Sequence, residues 1–390
     1  MKYEEKQNAG KRIQEIFLVL PRSHLKNQEL LRGIYEYAYP SKSWAMFFIA
    51  QTPDSIRDLH HTTSAAGLIG RLGREDLAEA AAELNIPVVN IHGGRRFSGL
   101  VQIGCDMEAC GRFAAKNLQD CGVPFFGFYG LPGEDFSDRQ QEGFTSELHK
   151  KGFKIYPFSP QEYLPKIGES SRKHPAVYWL QELPKPIAIY CPTDVLSHEL
   201  ANYCLQARLD IPREVLILGV DNDEILCHGS QPPLSSIRQP YRMVGRKAAE
   251  LLDSLMAGEP PPEMPCLMDS PEIVERQSTL HFHTGDPIVE KALQWMREEI
   301  GRGISVKETA KAIGISPRVL ELRFRKTLGM SPQRELQRLR VELIKTHLRN
   351  DGNSLERIAE ACGLSSGVYI SQFFQRETGM TPGQYRKIFQ

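Results

Sequence analysis

Arg318, Arg323, Arg325 and Lys326 fall within nine residues of a 390-residue chain, and Arg334, Arg338, Arg340, Lys345 and Arg349 follow. Guanidinium and ammonium groups at this density can neutralise nucleic-acid phosphates and gain affinity by releasing counterions. They sit in a segment whose charge differs from that of the rest. The whole chain holds 48 Lys plus Arg and 48 Asp plus Glu, but Asp286–Gln390 holds 18 against 12, which leaves 30 against 36 before it. A net charge of zero therefore hides a basic C-terminal segment of +6 and an acidic remainder of −6.

The elements that must position these basic groups are written twice. Residues 306–316 align with 355–365, about 49 positions on, and the match places Ala310 on Ala359, Ala312 on Ala361, Gly314 on Gly363 and Ser316 on Ser365. With one residue inserted, Phe324 falls on Phe374 and Gly329-Met330-Ser331-Pro332 on Gly379-Met380-Thr381-Pro382. Two copies at a fixed spacing mean two copies of one supersecondary unit. In each, apolar positions at helical spacing (Val306, Ala310, Ile313; Leu355, Ala359, Cys362) make one face. A glycine then ends the helix in the left-handed region. Ser316 with Pro317, and Ser365 or Ser366, supply the cap of the next helix. This is a helix-turn-helix, predicted at 305–328 and again at 354–378.

The run Ser316-Pro317-Arg318-Val319-Leu320-Glu321-Leu322-Arg323-Phe324, with Tyr369-Ile370-Ser371-Gln372-Phe373-Phe374 and Gly379-x-Thr381-Pro382-x-x-Tyr385-Arg386, resembles the AraC/XylS family of transcription regulators. The resemblance covers about the last 100 residues. It implies an all-α domain, 286–390, of seven helices, in which one long helix over 331–348 joins two helix-turn-helix units. Leu336, Leu339, Leu343 and Leu348 of that helix would face the core, and 18 residues at 1.5 Å each span ~27 Å, enough to set recognition helices in successive major grooves. By position, the resemblance implies that Arg318, Glu321, Leu322 and Arg325 face outward from the first recognition helix, with Leu320 and Phe324 in the core. Val368, Ser371, Gln372 and Gln375 are their second-unit counterparts. Arg318 and Arg325 suit either guanine edges or phosphates, and Gln372 and Gln375 suit base edges. Glu321 suits a cytosine amino group or an i,i+4 pair with Arg325.

The preceding residues alternate short apolar runs (16–20, 45–49, 87–91, 125–129, 187–190, 215–220) with helical stretches (73–84, 107–121, 137–151, 195–208, 241–257). Strands apolar on both faces with helices between them predict parallel sheets covered on both sides. The order of units, with Arg139-Gln140-Gln141-Glu142-Gly143-Phe144, Cys191-Pro192-Thr193-Asp194 and Leu218-Gly219-Val220-Asp221-Asn222, resembles the two-lobed, type I periplasmic-binding-protein and LacI-type sensor fold over about residues 13–280. In that fold a ligand sits between the lobes, beyond the carboxyl ends of the strands. The resemblance implies Asp194 and Asp221, each just past a strand, as side chains aimed into the cleft, flanked by Thr193 and Asn222. Arg139 or Gln140 occupies the family's arginine position, and Asp106 and Tyr129 also end strands. A turn residue or helix cap is the structural alternative for each aspartate.

A LacI-like sensor joined to an AraC-type domain resembles the xylose-responsive regulators of bacterial operons. It implies a cytoplasmic, sequence-specific regulator of transcription, no enzyme, controlled by a small sugar such as D-xylose. Its partners would be double-stranded DNA, a second copy of the chain and, for an activator, RNA polymerase. Another sugar or a non-sugar effector, and an α/β sugar- or nucleotide-binding enzyme with a helical appendage, are the rival readings. For the enzyme, Gly67-x-x-Gly70-x-x-Gly73 is expected to follow a strand but lacks dinucleotide-loop spacing. His60-His61 and His281-x-His283 lack accompanying metal ligands, and the eight cysteines show no ligand spacing, so neither cofactor nor metal is expected. They read as small buried residues of a reducing cytosol. The polar Met1–Arg12 is no signal peptide and no apolar run approaches 18 residues, so no membrane partner is expected. The stretch Thr279–Pro287 is the predicted link between domains.

Overall fold

A computed structural model describes residues 13–21, 25–39, 43–62, 65–163, 174–263, 266–268, 272–279, 286–349 and 354–389. Met1–Arg12, most of the predicted link, His281 and His283, and the side chain of Arg349 lie outside the described residues. The chain divides into two compact units, Met1–His281 and Phe282–Gln390.

The first unit is built on two six-stranded sheets. The first lobe begins with β1 (Gln14–Val19), α1 (Leu25–Ala38), β2 (Trp44–Phe48), α2 (Pro53–Arg57), β3 (Ala65–Gly70), α3 (Glu75–Ala82), β4 (Val88–Ile91) and β5 (Val101–Cys105). The second takes α4 (Met107–Asp120), β6 (Phe125–Phe128), α5 (Asp135–His149), β7 (Ile155–Pro157), α6 (Pro160–Tyr163), α7 (Pro175–Glu182), β8 (Ile187–Tyr190), α8 (Asp194–Ala207), β9 (Val215–Val220), α9 (Glu224–Gly229) and β10 (Ser235–Arg238). The chain then returns through α10 (Tyr241–Met256) and β11 (Cys266–Met268) to the first sheet, and through β12 (Glu272–Val274) to the second. Strand order is β11-β5-β4-β3-β1-β2 in one sheet and β12-β10-β9-β8-β6-β7 in the other, parallel except where β12 runs against β10. Each sheet is covered on both faces because successive side chains point oppositely. Ile16 and Leu18 enter one core while Phe17 and Val19 enter another, and Ile187 and Ile189 divide from Ala188 and Tyr190 in the same way. Six cysteines are buried in these cores or in that of the second unit, Cys121 and Cys266 are partly exposed, and all eight are free.

One expectation is corrected here. Gly67 and Gly70 do not follow a strand; they lie inside β3, where the small residues of Ala65–Gly70 hide the strand from a reading based on large apolar side chains. A Cβ at Gly67 would come 2.8 Å from Leu252 of α10, so helix packing and not phosphate binding accounts for that glycine.

In the second unit the described residues hold seven α-helices: α11 (Pro287–Glu299), α12 (Val306–Ala312), α13 (Pro317–Leu328), α14 (Pro332–Arg349), α15 (Leu355–Ala361), α16 (Gly367–Thr378) and α17 (Pro382–Phe389). Ser305 and Glu308 form a capping box on α12, Ser316 caps α13 with Pro317 in its first turn, and Ser354 and Ser366 cap α15 and α16. These hydroxyls satisfy amides that helix starts leave unpaired. Two cores result. Leu336 and Leu339 of α14 enter the first with Leu320 and Phe324; Ile344 and Leu348 enter the second with Ile370 and Phe374; Leu343 packs against both.

Candidate effector cleft and nucleic-acid interface

Asp221 directly follows β9. Its amide donates to Ile237 O at 2.9 Å, and the chain then turns through two left-handed non-glycine residues, Asp221 (φ 101°) and Asn222 (φ 53°). Such backbone persists only where its surroundings over-determine it, and it concentrates at functional sites. Asn222 is buried, its amide on Ser236 Oγ and its Oδ1 taking Arg276 Nη2, both at 2.9 Å. The Asp221 carboxylate accepts from the hydroxyl of Tyr241, the first residue of α10, at 2.5 Å. Tyr241 packs with the core of the first lobe, so this bond joins the lobes. Burial raises the Asp221 carboxyl above the usual range, opposed first by the charge of Lys26 on α1, then by Tyr241 and Arg71. Burial likewise lowers Lys26, with the Asp221 charge acting against it. Across the cleft, then, two cations of one lobe answer a carboxylate of the other.

Asp194 does something different. It is 1 % exposed, its Oδ2 accepts the Asp223 amide at 2.6 Å, and a Cβ on Gly219 would stand 2.3 Å from its Oδ1. The expectation that it aims into the cleft is therefore corrected: as the first residue of α8 it turns back under β9 and clamps the 221–223 turn from inside the lobe. Burial, reinforced by the charge of Asp221, pushes its carboxyl up to about 8. Thr193 caps α8 by accepting from Leu196 N, and Asp106 caps α4 by accepting from Ala109 N at 2.8 Å. Arg139 is half-exposed and paired with Asp135 at 3.1 Å. Gln140, by contrast, is buried, its amide donating to Pro192 O at 3.3 Å and its carbonyl accepting from the Tyr190 hydroxyl. Tyr129 stacks on Trp179 and packs against Phe158 in the core of the second lobe, which removes it from the cleft candidates. Lys26, Arg71 and Tyr241 escaped the sequence reading; none belongs to a motif, and a single basic residue at the start of a helix resembles any solvated one.

The second unit presents its candidates on two helix faces. On α13, Arg318, Leu322 and Arg325 are exposed and Glu321 partly so, opposite the buried Leu320 and Phe324. On α16, Val368, Gln372 and Gln375 are exposed and Ser371 partly so, opposite Ile370, Phe373 and Phe374. Glu321 pairs with Arg325 at 2.8 Å. The basic residues expected to serve phosphates divide. Arg323 is tied to Asp286 (2.7 Å), Arg334 to Glu377 (2.6 Å), Arg338 to Glu335 (2.9 Å), Lys345 to Glu342 (2.9 Å) and Arg340 to Ile304 O (2.5 Å). The bonds of Arg323, Arg334 and Arg340 join different elements of the unit while those of Arg338 and Lys345 lie within α14, and the expectation of a free basic face is corrected to that extent. Val319 and Tyr369 are exposed beside the candidates, and their apolar side chains gave the sequence no signal of a surface role.

A family model described as a periplasmic binding protein-like domain matches residues 115–279, and one described as a helix-turn-helix domain matches 309–388. The xylose operon regulatory protein of Escherichia coli (strain K12) is 26% identical over 369 residues, covering 93% of this chain and 94% of that protein. The protein of that description from Haemophilus influenzae is 26% identical over 385 residues, covering 95% and 98%. This chain is a homologue of the xylose operon regulators. A solved xylose-binding transcription activator superposes with a TM-score of 0.62 at 25% identity, over 97% of this chain and 98% of that one. Like those regulators, the chain joins a periplasmic-binding-protein-like fold to a helix-turn-helix domain of the DNA-binding kind and is a regulator of transcription. No helix among the described residues is long and apolar enough to cross a membrane.

Proposed function

We propose that the chain is a cytoplasmic, sequence-specific DNA-binding regulator whose effector is D-xylose, with residues 13–280 sensing and 286–390 binding duplex DNA. The observation that carries the reading is Asp221: a carboxylate held at the wall of the cleft by strained backbone, with cations of the other lobe facing it. Ionised carboxylates accept short, strong hydrogen bonds, and a sugar presents several hydroxyl donors in fixed geometry. Asp221, Asn222, Lys26 and Arg71 contact the effector in this reading, and Asp194 positions the turn. Arg318, Glu321, Leu322 and Arg325, with Val368, Ser371, Gln372 and Gln375, face the major groove. The chain acts as a homodimer and, where it activates, engages RNA polymerase. The sugar is bound and not turned over.

Calorimetric titration of monosaccharides into the full chain, alongside a gel shift on its own promoter region with and without the sugar, tests this. D-xylose is expected to bind, to return chemically unchanged and to alter the shift. Binding of a different pentose or hexose with D-xylose inert would replace the effector; a shift that no sugar alters would overturn the sensor reading.

A further inference from the structure

We propose that Asp135 is a positioning residue that clasps the two lobes and thereby sets effector affinity. It is the first residue of α5 in the second lobe, and its Oδ2 accepts the backbone N–H of Arg95 at 3.0 Å. Arg95 lies in the loop between β4 and β5 of the first lobe, so the bond spans the cleft without passing through the segments where the chain crosses over. The loop is built to receive it. Gly94 comes so near that a Cβ would stand 1.6 Å from Asp135 Oδ2, so any side chain there would push the carboxylate out of its place. The Arg95 guanidinium is held on Glu75 at 3.0 and 3.2 Å, and Gln102 Nε2 donates to the carbonyls of His92 and Arg95 at 2.9 and 3.0 Å. Each bracing bond stays within the first lobe, so the loop is tied to that lobe and not to its partner. On the other side Arg139 Nε donates to Asp135 Oδ1 at 3.1 Å and fixes the carboxylate's direction. Arg139, one of the two alternatives the sequence offered for the effector contact, here serves the clasp.

A carboxylate–amide bond of this kind is charge-assisted and exists only with the lobes together. It favours the closed arrangement whether or not a sugar is present. A ligand that binds the closed arrangement has its apparent affinity reduced by the fraction not closed, so loss of the clasp weakens binding without touching a ligand contact. The effect on affinity rests on the cleft being the effector site; the clasp itself does not.

The test places spin labels at Ser98→Cys and Glu142→Cys, exposed positions on opposite lobes, in the full chain with Cys121 and Cys266 replaced by Ser, and measures their separation without sugar. Asp135→Ala is expected to shift the distribution to longer distances. So is Gly94→Ala, which alters only the opposite lobe and keeps Asp135 and Arg139 intact; agreement of the two separates loss of the clasp from local damage to α5. Titration of D-xylose should then give a dissociation constant about fivefold higher in each variant. Distance distributions unchanged in both variants overturn the clasp. If D-xylose binds neither parent nor variants, the effector reading falls while the distances still decide the clasp.

Discussion

Asp221 and Asp194 stand one strand apart in the same lobe and are put to different uses by what surrounds them. Asp221 keeps a carboxylate bonded to Tyr241 of the other lobe and under the charges of Lys26 and Arg71, whereas Asp194 is enclosed with a backbone amide on one oxygen. Asp221→Ala should fold and, if the sugar-free protein binds DNA, still shift the operator, but lose its response to the sugar, since the lobes would no longer gain differential contacts on closing. Calorimetry of Asp221→Ala and Asp221→Asn separates charge from shape; equal affinity in all three proteins would remove Asp221 from the site. For Asp194 the sign follows from linkage. Its folded pKa of about 8 lies above its ordinary value of 3.8. Its contribution to stability is therefore full below about pH 4 and is lost as pH rises through 8. Asp194→Asn, which keeps an acceptor for Asp223 and cannot ionise, should gain on the wild type in melting temperature between pH 5 and 8.5. A difference that does not change with pH would mean Asp194 is ionised throughout.

At the scale of elements, the two helix-turn-helix units share a pattern but not an environment. Gly314 (φ 78°) and Gly363 (φ 60°) both end their helices left-handed. A Cβ at Gly314 meets nothing within 4 Å, whereas one at Gly363 would stand 2.2 Å from Gly303 N, because the turn after α15 lies backbone to backbone on the turn before α12. Gly314→Ala should cost only the left-handed strain, ~1–2 kcal/mol. Gly363→Ala adds a collision that no rotamer relieves and should cost clearly more, as thermal unfolding of the helical unit would show; equal losses would mean the turns do not touch. The same contrast applies to charge. Arg318 is exposed and makes no ion pair among the described residues, and Lys345 is tied to Glu342. Arg318→Ala should cost ~1–3 kcal/mol on its preferred site and relax choice at one base pair. An unchanged preferred site after selection from random DNA would place Arg318 on the backbone.

At the scale of the molecule, closure and DNA binding are separable measurements. A cleft ligand at 100 times its dissociation constant stabilises by ~2.7 kcal/mol, so a thermal-shift screen of monosaccharides should pick out the effector as a rise in melting temperature. Residues 286–390 carry two hydrophobic cores of their own and a charge of +6. As an isolated fragment, shown folded by circular dichroism, they should shift promoter DNA at low salt and lose affinity steeply as salt rises. A folded fragment without a shift would overturn the DNA reading.

The sequence by itself determined the classes of structure and the order of elements. Repetition of Ala, Gly, Ser and Gly-x-Ser/Thr-Pro marks helix ends and caps that depend only on neighbours within a few residues, so both helix-turn-helix units and α14 were legible. Apolar runs of β-branched and aromatic residues marked six of the twelve described strands, and β3 and the short edge strands β7, β11 and β12 were not among them because their partners, more than their own side chains, make them strands. Only the tertiary structure decided which polar groups share a space. Asp194 and Asp221 look alike in sequence, and the path of α8 beneath β9 separates them. Arg334 and Glu377 are 43 residues apart and bonded, so no local pattern could have withdrawn that arginine from the basic face. Tyr241, Lys26 and Asp135 gain their roles across the cleft, where distance in sequence carries no signal and geometry carries all of it.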